Sequence, residues 1–407
     1  MISVDLAPNE EWDDALLSAT LLFQPGKWWG GPALNDVKKE LAKMTAHKEE
    51  DIFFYLSGRA GLYHIIKSLN LPKGAEVLVT GFTCEAVVLP IIANNCTPKY
   101  IDIDDLDYSI NPNKIPPSIS RNTKVLLIQH TFGTPPRRDE LLSLAEKNNW
   151  IVVEDLAHGF QKNIFDHDKV QTIKLLSFGR SKSYSSVFGG VVITGDKELK
   201  QKLHAENKNL RRVPTLELLK LLKYKPLVMV VKSTYSFLNL GKIIHRLLIK
   251  GNVLIPEISD KEKRGEYDPY FDMELPNALG ILAYHQLSKY ESKCKNRQIA
   301  VKTYRQVLKT KIKDDYSLTR FPVLVKDRDV CLKECRKYGL FLGTWYTQPV
   351  APAALDLKKV MYERGSCPVA EKICDHIVNL PTFVTKEQAK DIAEIIKPHL
   401  LLEDIQT

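Results

Sequence analysis

The sequence contains no long apolar run. No stretch approaches the ~18 residues that a helix needs to cross a bilayer, so we do not expect the chain to span a membrane. The first 14 residues carry five acidic side chains and no basic one, which is unlike a secretory signal peptide. We therefore expect a cytoplasmic protein.

Paired cysteines are also missing. Seven cysteines occur in 407 residues, which is an odd number, and none forms a Cys-x-x-Cys motif. Cys331 and Cys335 lie one helical turn apart without a histidine ligand nearby. Reduced thiols are favoured over a disulfide framework or a zinc site, and we predict no metal centre.

The positive charge does not come with a nucleic-acid-binding motif. The formal net charge is +9, but the excess is local and matches no known nucleic-acid module. We expect no nucleic-acid partner. The 44% hydrophobic and 26% charged content is that of an ordinary globular protein, which is long enough for a large domain and a smaller one.

Short apolar runs alternate with helical stretches from Asp51 to about Asp196, a pattern typical of a mostly parallel sheet with crossover helices. The predicted strands are Val77–Val79, Lys99–Ile103, Val125–Gln129, Ile151–Glu154, Leu175–Phe178 and Val191–Thr194. The predicted helices begin near Ala60, Cys84, Asp139 and Lys197. Because ligands bind at strand ends in such sheets, candidate functional residues are sought there.

The sequence predicts four parts. After Glu266 we expect one helix over Leu275–Leu308, a strand at Phe321–Val325, and helices at Val330–Tyr338 and Lys386–Lys397. The expected parts are an N-terminal helical segment (1–50), a large domain (51–210), a basic amphipathic helical insertion (211–265) and a linking helix with a small C-terminal α/β domain (266–407).

A turn of small residues precedes the first predicted helix of the large domain. In Ser57-Gly58-Arg59-Ala60-Gly61 the backbone N–H groups at the helix start can hold a phosphate. Such a turn is more often only a turn, so this signal is weak alone.

A second segment, Glu154-Asp155-Leu156-Ala157-His158, ends an apolar strand with acids and a histidine. A carboxylate buried at a strand end needs a partner, and a protonated ring nitrogen would keep it ionised. A helix-capping Asp155 beside a surface His158 explains the pattern equally well.

Two further segments complete the candidate site. Lys182 closes the turn Ser177-Phe178-Gly179-Arg180-Ser181-Lys182, where a desolvated lysine can form an imine, although most lysines are simply solvated. Gly81-Phe82-Thr83-Cys84-Glu85 follows another strand, where it can cover a planar cofactor or merely start a helix.

The order of these four segments resembles the fold type I aminotransferases that depend on pyridoxal 5'-phosphate (PLP), and more narrowly the DegT/StrS family of sugar aminotransferases. The resemblance covers nearly the whole chain apart from the basic insertion. It rests on Trp28-Trp29-Gly30-Gly31-Pro32, Ser57-Gly58-Arg59-Ala60, Gly74–Val79, Asp102-Ile103-Asp104, His130–Gly133, Glu154–His158, Ser177–Lys182, Leu275–Gly280, Cys367–Ala370 and Asn379-Leu380-Pro381.

The resemblance implies an α/β fold with a mostly parallel central sheet, helices on both faces and a smaller C-terminal α/β domain. It also implies bound PLP and three catalytic residues. Lys182 would form the Schiff base with PLP and then move protons as a base. Asp155 would pair with the pyridine nitrogen, and His158 would lie near the ring and its 3-oxygen.

The resemblance further implies a phosphate site at Gly58, Arg59 and Ala60, completed by the hydroxyl of Ser177. Arg59 replaces a commoner threonine, and its guanidinium can add charge toward phosphate or substrate. Cys84 stands where many relatives have an aromatic residue over the ring, which leaves stacking weaker or supplied by Phe82.

The implied reaction is amino transfer from an amino acid, glutamate by resemblance, to a nucleotide-linked keto-sugar. Lys182 is intact, which argues against the dehydratases of the family, where histidine replaces it. One alternative is another PLP reaction, such as elimination or racemisation, because the half-site that makes the carbanion is shared. A second is a non-catalytic sensor of PLP or sugar. A homodimer is implied, but the asparagine stretch that reaches the neighbouring subunit is not recognisable around Tyr267–Met273.

The resemblance lapses between Arg211 and Pro256. No acidic residue occurs between Glu217 and Glu257, and leucine-rich runs are interleaved with lysines. Helices with an apolar face and only basic charge suit an anionic membrane surface, so peripheral membrane contact is one interpretation. The other is an apolar face packed on the enzyme body or on a partner subunit, with the lysines in solvent.

Overall fold

The computed structural model describes residues 1–117, 119–160, 171–235, 240–251, 253–264, 266–310, 312 and 316–401. Parts of the predicted insertion (236–239, 252 and 265) and of the predicted C-terminal domain (311, 313–315 and 402–407) lie outside the described residues.

Thirteen strands occur in the described ranges. They are β1 (Ile2–Ser3), β2 (Ile52–Tyr55), β3 (Glu76–Thr80), β4 (Thr83–Cys84), β5 (Thr97–Ile101), β6 (Thr123–Gln129), β7 (Ile151–Asp155), β8 (Thr172–Ser177), β9 (Gly190–Ile193), β10 (Arg320–Leu324), β11 (Leu340–Phe341), β12 (Val350–Ala351) and β13 (Ile377–Pro381).

Fourteen α-helices are described over the same ranges. They are α1 (Trp12–Leu22), α2 (Ala33–Thr45), α3 (Gly58–Leu69), α4 (Glu85–Ala93), α5 (Arg138–Asn148), α6 (Lys197–Asn207), α7 (Thr215–Thr234), α8 (Leu240–Lys250), α9 (Asp260–Lys263), α10 (Asn277–Ser288), α11 (Tyr290–Leu308), α12 (Arg328–Lys337), α13 (Pro368–His376) and α14 (Lys386–Ile396).

A seven-stranded sheet in the order β2-β9-β8-β7-β6-β3-β5 forms the centre of the large domain. All neighbours from β8 to β5 are parallel, and only β9 runs against both of its neighbours. The predicted α/β fold with a mostly parallel sheet is confirmed.

Helices cover both faces of this sheet, which is why its strands read as continuous apolar runs. In β2 the side chains of Ile52 and Phe54 join the core on one face. Those of Phe53 and Tyr55 join the core on the other. Both faces are therefore buried, and the strand ends are held in fixed positions.

Several elements differ from the sequence prediction, among them β2 and the helical region after Glu266. Strand β2 was not among the predicted strands, and the single helix predicted over Leu275–Leu308 is two helices, α10 and α11. The break falls at Lys289, where the backbone is at φ −95° and ψ 6°. The Lys289 ammonium lies 2.6 Å from an Asp13 carboxylate oxygen and 3.2 Å from one of Asp14. These contacts to α1 stabilise the non-helical backbone at Lys289. The sequence has no proline or glycine at this position that would predict the end of a helix.

The C-terminal part has a core of its own. β10 and β13 pair antiparallel, and α11, α12 and α14 pack with them around side chains that include Tyr304, Phe321 and Ile392. The short strand β12 pairs in parallel with β4 and so joins this part to the large domain. The exact boundaries of the four predicted parts stay a prediction.

The predicted insertion contains two long helices that are packed differently. The apolar side chains Leu218, Leu221, Leu222 and Val228 of α7 are buried in the core of the large domain. Helix α8 packs on α7 at Gly241, where any side chain would collide with the Val231 carbonyl. Across the described ranges, no helix is both long and apolar enough to cross a membrane.

Candidate active site

A cavity of about 260 Å³ lies at the carboxyl ends of β6, β7 and β8. Three sets of residues line it. The core wall, from the large domain, comprises Ser57–Arg59, Leu62, Cys84–Val87, Gln129, Asp155, Ala157, His158, Leu175, Ser177, Gly179, Lys182 and Val187–Gly189. The C-terminal wall comprises Thr344–Thr347 and Ala351–Ala353, and the insertion edge comprises Glu257 and Ile258.

Lys182 enters the cavity from the turn after β8. Its Nζ lies 4.9 Å from the centre of the Trp345 ring, on the opposite wall. Its backbone N–H donates to the Gly179 carbonyl at 3.1 Å, and its own carbonyl accepts from Asn9 Nδ2 at 2.6 Å. The amine is thus carried by a residue whose backbone is hydrogen-bonded on both sides of its Cα.

The adjacent carboxylates Glu154 and Asp155 point to opposite faces of β7, as neighbours in a strand must. Glu154 is fully buried and accepts two hydrogen bonds from Arg138, at 2.9 Å each, with His130 at 3.2 Å and Lys174 at 3.3 Å. Burial raises the pKa of Glu154, but the hydrogen bonds from Arg138 and His130 and the charge of Lys174 outweigh it and hold this pKa well below its usual range. Glu154 is therefore part of a structural charge network.

Asp155 lines the cavity, and no such network surrounds it. Its Oδ1 accepts from the Ala157 N–H at 2.9 Å, and no ion pair to it occurs among the described residues. Burial raises the pKa of Asp155, while Ala157, Lys182 and His130 act in the opposite direction. A buried carboxylate in this position favours a cationic N–H donor from a ligand.

His158 is buried between the two walls. Its Nδ1 accepts from the Phe132 N–H at 3.1 Å, and its Nε2 lies 3.2 Å from the Tyr346 hydroxyl. Burial, with the nearby charges of Lys182 and Arg320, holds the pKa of His158 well below its usual value. The ring is accordingly neutral at pH 7, and the Phe132 contact assigns its proton to Nε2.

The start of α3 forms an anion cradle, which we define as Ser57, Gly58, Arg59 and Ser177. Ser57 caps the helix by accepting from the Ala60 N–H at 3.2 Å, so the N–H groups of Gly58 and Arg59 are the first of the helix and lack intrahelical acceptors. A Cβ at Gly58 would lie 3.2 Å from Ser177 Oγ. Only a small residue lets these donors converge, and donors at a helix start bind anions.

The guanidinium of Arg59 points to the insertion edge and the helix that follows it. It lies 2.5 Å from Glu262 Oε1 and donates to the Glu257 carbonyl at 2.7 Å. Glu257 Oε1 in turn accepts from Ser181 Oγ at 3.2 Å. A carboxylate therefore lies next to the cradle, and Arg59 is already paired in this structure. Its predicted contact with phosphate or substrate stays a prediction and requires it to leave Glu262.

Glu85 follows Cys84 on the core wall. It is 1% exposed, and its Oε2 has no hydrogen-bond partner among the described residues. Burial raises the pKa of Glu85 to about 7, although the charge of Arg59 lowers it. Burial likewise raises the pKa of the Cys84 thiol to about 12. The Cys84 thiol is therefore neutral over the whole physiological pH range, and the Glu85 carboxyl is neutral at pH values below about 7.

The C-terminal wall contributes two aromatic rings to the cavity, Trp345 and Tyr346, and the core wall contributes Phe188. Trp345 stacks on His158 with ring centres 4.9 Å apart, and the Arg320 guanidinium lies 3.3 Å from its ring centre on the protein side. Phe82 does not line the cavity; its fully buried ring packs edge-on against Tyr346 at 5.2 Å. Phe82 thus supports the C-terminal wall, and any direct contact with a cofactor stays a prediction.

The model of the DegT/DnrJ/EryC1/StrS aminotransferase family matches residues 12–213 and 257–397. The chain belongs to the DegT/DnrJ/EryC1/StrS aminotransferase family. The family predicted from the sequence is thereby confirmed. The unmatched stretch, 214–256, falls within the predicted insertion and contains α7 and α8.

Three individual proteins illustrate the similarity. A 3-oxo-glucose-6-phosphate:glutamate aminotransferase of Bacillus subtilis is 29% identical over 199 residues, covering 48% of this chain and 44% of its own. A UDP-N-acetyl-3-dehydro-α-D-glucosamine 3-aminotransferase of Acidithiobacillus ferrooxidans is 32% identical over 150 residues, covering 36% and 41%. The chain therefore spans less than half the length of these two relatives. The crystal structure of a sugar aminotransferase from Micromonospora echinospora has a TM-score of 0.69 at 18% identity, covering 98% of this chain and all of the other, which shows the shared fold.

The cofactor of this aminotransferase family is PLP, and the cavity fits it on two independent grounds. The anion cradle offers uncommitted N–H groups where a phosphate is expected. Asp155 offers a buried carboxylate with no ion pair to a described residue, which suits a protonated ring nitrogen. Lys182 lines the same cavity. Of the predicted site residues, all but Ala60 and Phe82 line it.

Sequence reasoning missed the C-terminal wall and the insertion edge. Trp345 is held by Asn379, which accepts from the Trp345 N–H at 2.8 Å and donates to its carbonyl at 3.1 Å. Asn379 belongs to the Asn-Leu-Pro segment that carried part of the resemblance, and this was the available signal. No sequence signal pointed to Glu257, because it lies next to the stretch that does not resemble the family.

Proposed function

We propose that this aminotransferase moves an amino group from glutamate to the ketone of a nucleotide-linked sugar, with Lys182 as its catalytic lysine. The observation that carries the proposal is the convergence of Lys182, Asp155, His158 and the anion cradle on one cavity at the strand ends. Each group alone has a structural explanation, but together they match the needs of one cofactor.

In the proposed mechanism, bound PLP would supply an electron sink that lets the Cα–H bond of the donor break. The Nζ of Lys182 would take that proton and return it at the cofactor carbon. The Asp155 carboxylate would hold a proton on the ring nitrogen by pairing with it. The anion cradle would bind the phosphate through the backbone N–H groups of Gly58 and Arg59 and the hydroxyl of Ser177, and His158 would donate from Nε2 toward the ring oxygen or Tyr346.

The C-terminal wall would orient the substrates and exclude water. Trp345 faces Lys182 across the cavity, so a substrate bound at the amine would lie next to this ring. The keto-sugar assignment is supported by the relatives, which are named for a 3-oxo-glucose 6-phosphate and for a UDP-linked 3-dehydro sugar. The glutamate assignment is supported by the name of the first.

The decisive experiment follows the two half-reactions separately. Purified protein is incubated with PLP and glutamate deuterated at Cα, and visible absorbance and 2-oxoglutarate are measured. We expect the absorbance of the bound cofactor to change and stoichiometric 2-oxoglutarate to form, and a keto-sugar such as a UDP-linked 3-dehydro sugar should then restore the original spectrum. Loss of deuterium without 2-oxoglutarate would indicate racemisation instead. No spectral change with glutamate or other amino acids would refute the proposal.

A homodimer is also part of the proposal. It is supported by exposed apolar side chains on α1 and directly after it: Trp12 is 53% exposed, Leu16 is 64% exposed, and Phe23, which follows the helix, is 85% exposed. Acidic residues of the same helix, Asp13 and Asp14, are paired with Lys289, so a second copy can cover this surface without burying unpaired charge. Sedimentation should give a dimer for the native chain, and Phe23→Glu should yield monomers. An active native monomer would contradict this.

Peripheral membrane contact through residues 211–256 is the last part of the proposal. It is supported by the absence of acidic residues between Glu217 and Glu257 in the sequence. Deleting α8 (Leu240–Lys250), which leaves the buried helix α7 in place, should abolish any binding of the protein to anionic liposomes.

A further inference from the structure

Helix α8 presents a continuous face to solvent. We define the α8 strip as Lys242, Ile243, Arg246, Leu247 and Lys250, which lie three or four residues apart and so share one side of the helix. Ile243 is 50% exposed and Leu247 is 64% exposed. Apolar and cationic side chains therefore alternate on the same exposed surface.

The strip faces away from the rest of the protein because α8 attaches to α7 through its other side. Gly241 is buried against the Val231 carbonyl and Tyr235, and Ile244 and Leu248 are half-buried. The apolar residues of the strip therefore have no cover within the described residues. This differs from α7, whose leucines are buried in the core.

The charges of the strip are uncompensated. No ion pair to Lys242, Arg246 or Lys250 occurs in the described part of the chain, although Lys242 lies 5.4 Å from the ring centre of Tyr235. The nearest acidic residues in sequence are Glu217 and Glu257. A surface with only one sign of charge attracts the opposite sign over about a Debye length.

A second copy of the chain is a poor occupant for this strip. A two-fold contact through α8 would place the same patch on both subunits, so Arg246 and Lys250 would face like charges. Desolvating like charges against each other is unfavourable. The exposed face of α1 carries no such penalty, because its acids are already paired.

We infer that the α8 strip docks on an anionic lipid surface, with Ile243 and Leu247 at the acyl boundary and Lys242, Arg246 and Lys250 at the head groups. This rests on the proposed membrane contact and assigns it to one face of one helix. Helices that combine a basic side with exposed apolar residues lie in the plane of such interfaces. Helix α7, which is buried in the core, then connects α8 to the catalytic domain.

The test is flotation of the full-length holoenzyme with two kinds of vesicle, phosphatidylcholine alone and equal parts of phosphatidylcholine and phosphatidylglycerol. We expect binding only to the anionic vesicles, falling as salt is raised. The charge variant Lys242→Gln, Arg246→Gln and Lys250→Gln should bind about a hundredfold more weakly, because each cation contributes about a fivefold factor. The apolar variant Ile243→Ser and Leu247→Ser should also lose binding.

The matched control neutralises three exposed cations on α12, through Lys333→Gln, Arg336→Gln and Lys337→Gln, and should bind like the native protein. Equal binding to neutral vesicles, undiminished binding of the charge variant, or no binding at low salt would each overturn the inference. So would a change from dimer to monomer in the apolar variant, which would assign the strip to a second copy. The glutamate half-reaction, measured in every variant, reports on the proposed catalysis separately.

Discussion

The two main walls of the cavity are built on different principles. The core wall sits on the ends of buried parallel strands, where Gln129, Asp155 and Ser177 are each the last residue of a strand. The C-terminal wall is an irregular loop, held by the short pairing of β12 with β4 and by Asn379. The groups proposed to act on the cofactor therefore lie at strand ends, while Trp345 and Tyr346 lie on the irregular loop.

This difference leads to an expectation about variants. Changes on the core wall should alter the rate of the chemical step, because they remove groups that act on the cofactor. Changes on the C-terminal wall should alter substrate binding more than rate, because they remove contact area.

The strongest test of the core wall is Lys182→Ala. This change removes the amine that would bind the cofactor and move protons, so turnover and the visible absorbance of the imine between lysine and cofactor should both disappear. Absorbance spectra and a 2-oxoglutarate assay check this, with Lys202→Ala on the exposed face of α6 as a control. Retained absorbance in the Lys182 variant would refute the assignment.

The second test contrasts the neighbours on β7. Asp155→Ala should fold normally but bind PLP more weakly and transaminate by roughly a thousandfold more slowly, because the ring loses its charge partner. Glu154→Ala should instead destabilise the fold by about 3–5 kcal/mol, since Arg138 and Lys174 lose a buried carboxylate. Urea unfolding and single-turnover kinetics separate the two effects. Near-normal catalysis in the Asp155 variant would contradict its role.

The C-terminal wall is tested by Trp345→Ala. Losing this ring should raise KM for the acceptor about tenfold, corresponding to about 1.4 kcal/mol of lost contact, with kcat changed less. Steady-state kinetics of the second half-reaction measure both constants. If kcat falls while KM is unchanged, the two walls do not divide chemistry from binding in this way.

The smallest expected effect concerns Glu85 and the pH dependence of stability. Burial raises the pKa of Glu85 to about 7, from an ordinary value of 4.5. The folded state therefore binds more protons than the unfolded state between these values, and the native protein loses stability as pH rises through this window. Glu85→Gln stays neutral, so it should be more stable than the native apoprotein by up to about 3 kcal/mol at pH 8. The gain should vanish near pH 4.5. Thermal unfolding across this range would show it, and a constant difference would argue against the titration.

The sequence alone predicted the core wall because the apolar runs in it show where the strands end. Apolar runs predicted the ends of β7 and β8 within a few residues, so Asp155, Ser177 and Lys182 could be assigned to one edge of the sheet. The order of motifs then tied them to one family. Strand β2 (Ile52–Tyr55) was not predicted. It has only four residues, and because both of its faces are buried, its sequence lacks the alternation of apolar and polar residues that marks a strand.

The features that the sequence did not predict depend on contacts between distant parts of the chain. The position of Trp345 is set by Asn379 and Arg320, and the pairing of Arg59 with Glu262 spans 203 residues. The break at Lys289 depends on acids in α1. The two helices of the insertion read alike as sequence, yet only α7 is buried, because only α7 meets an apolar partner.

The anchoring of Lys182 by Asn9 has a consequence for how this site forms during synthesis. Asn9 Oδ1 accepts from Arg297 at 2.9 Å, and Arg297 also donates to the Ser183 carbonyl at 2.7 Å. The turn that carries the catalytic amine is thus fixed by residues near the beginning of the chain and by a helix 288 residues later. Such distant contacts form late, because loop closure must come first. The turn that carries Lys182 can therefore reach its final position only after Arg297 has been synthesised.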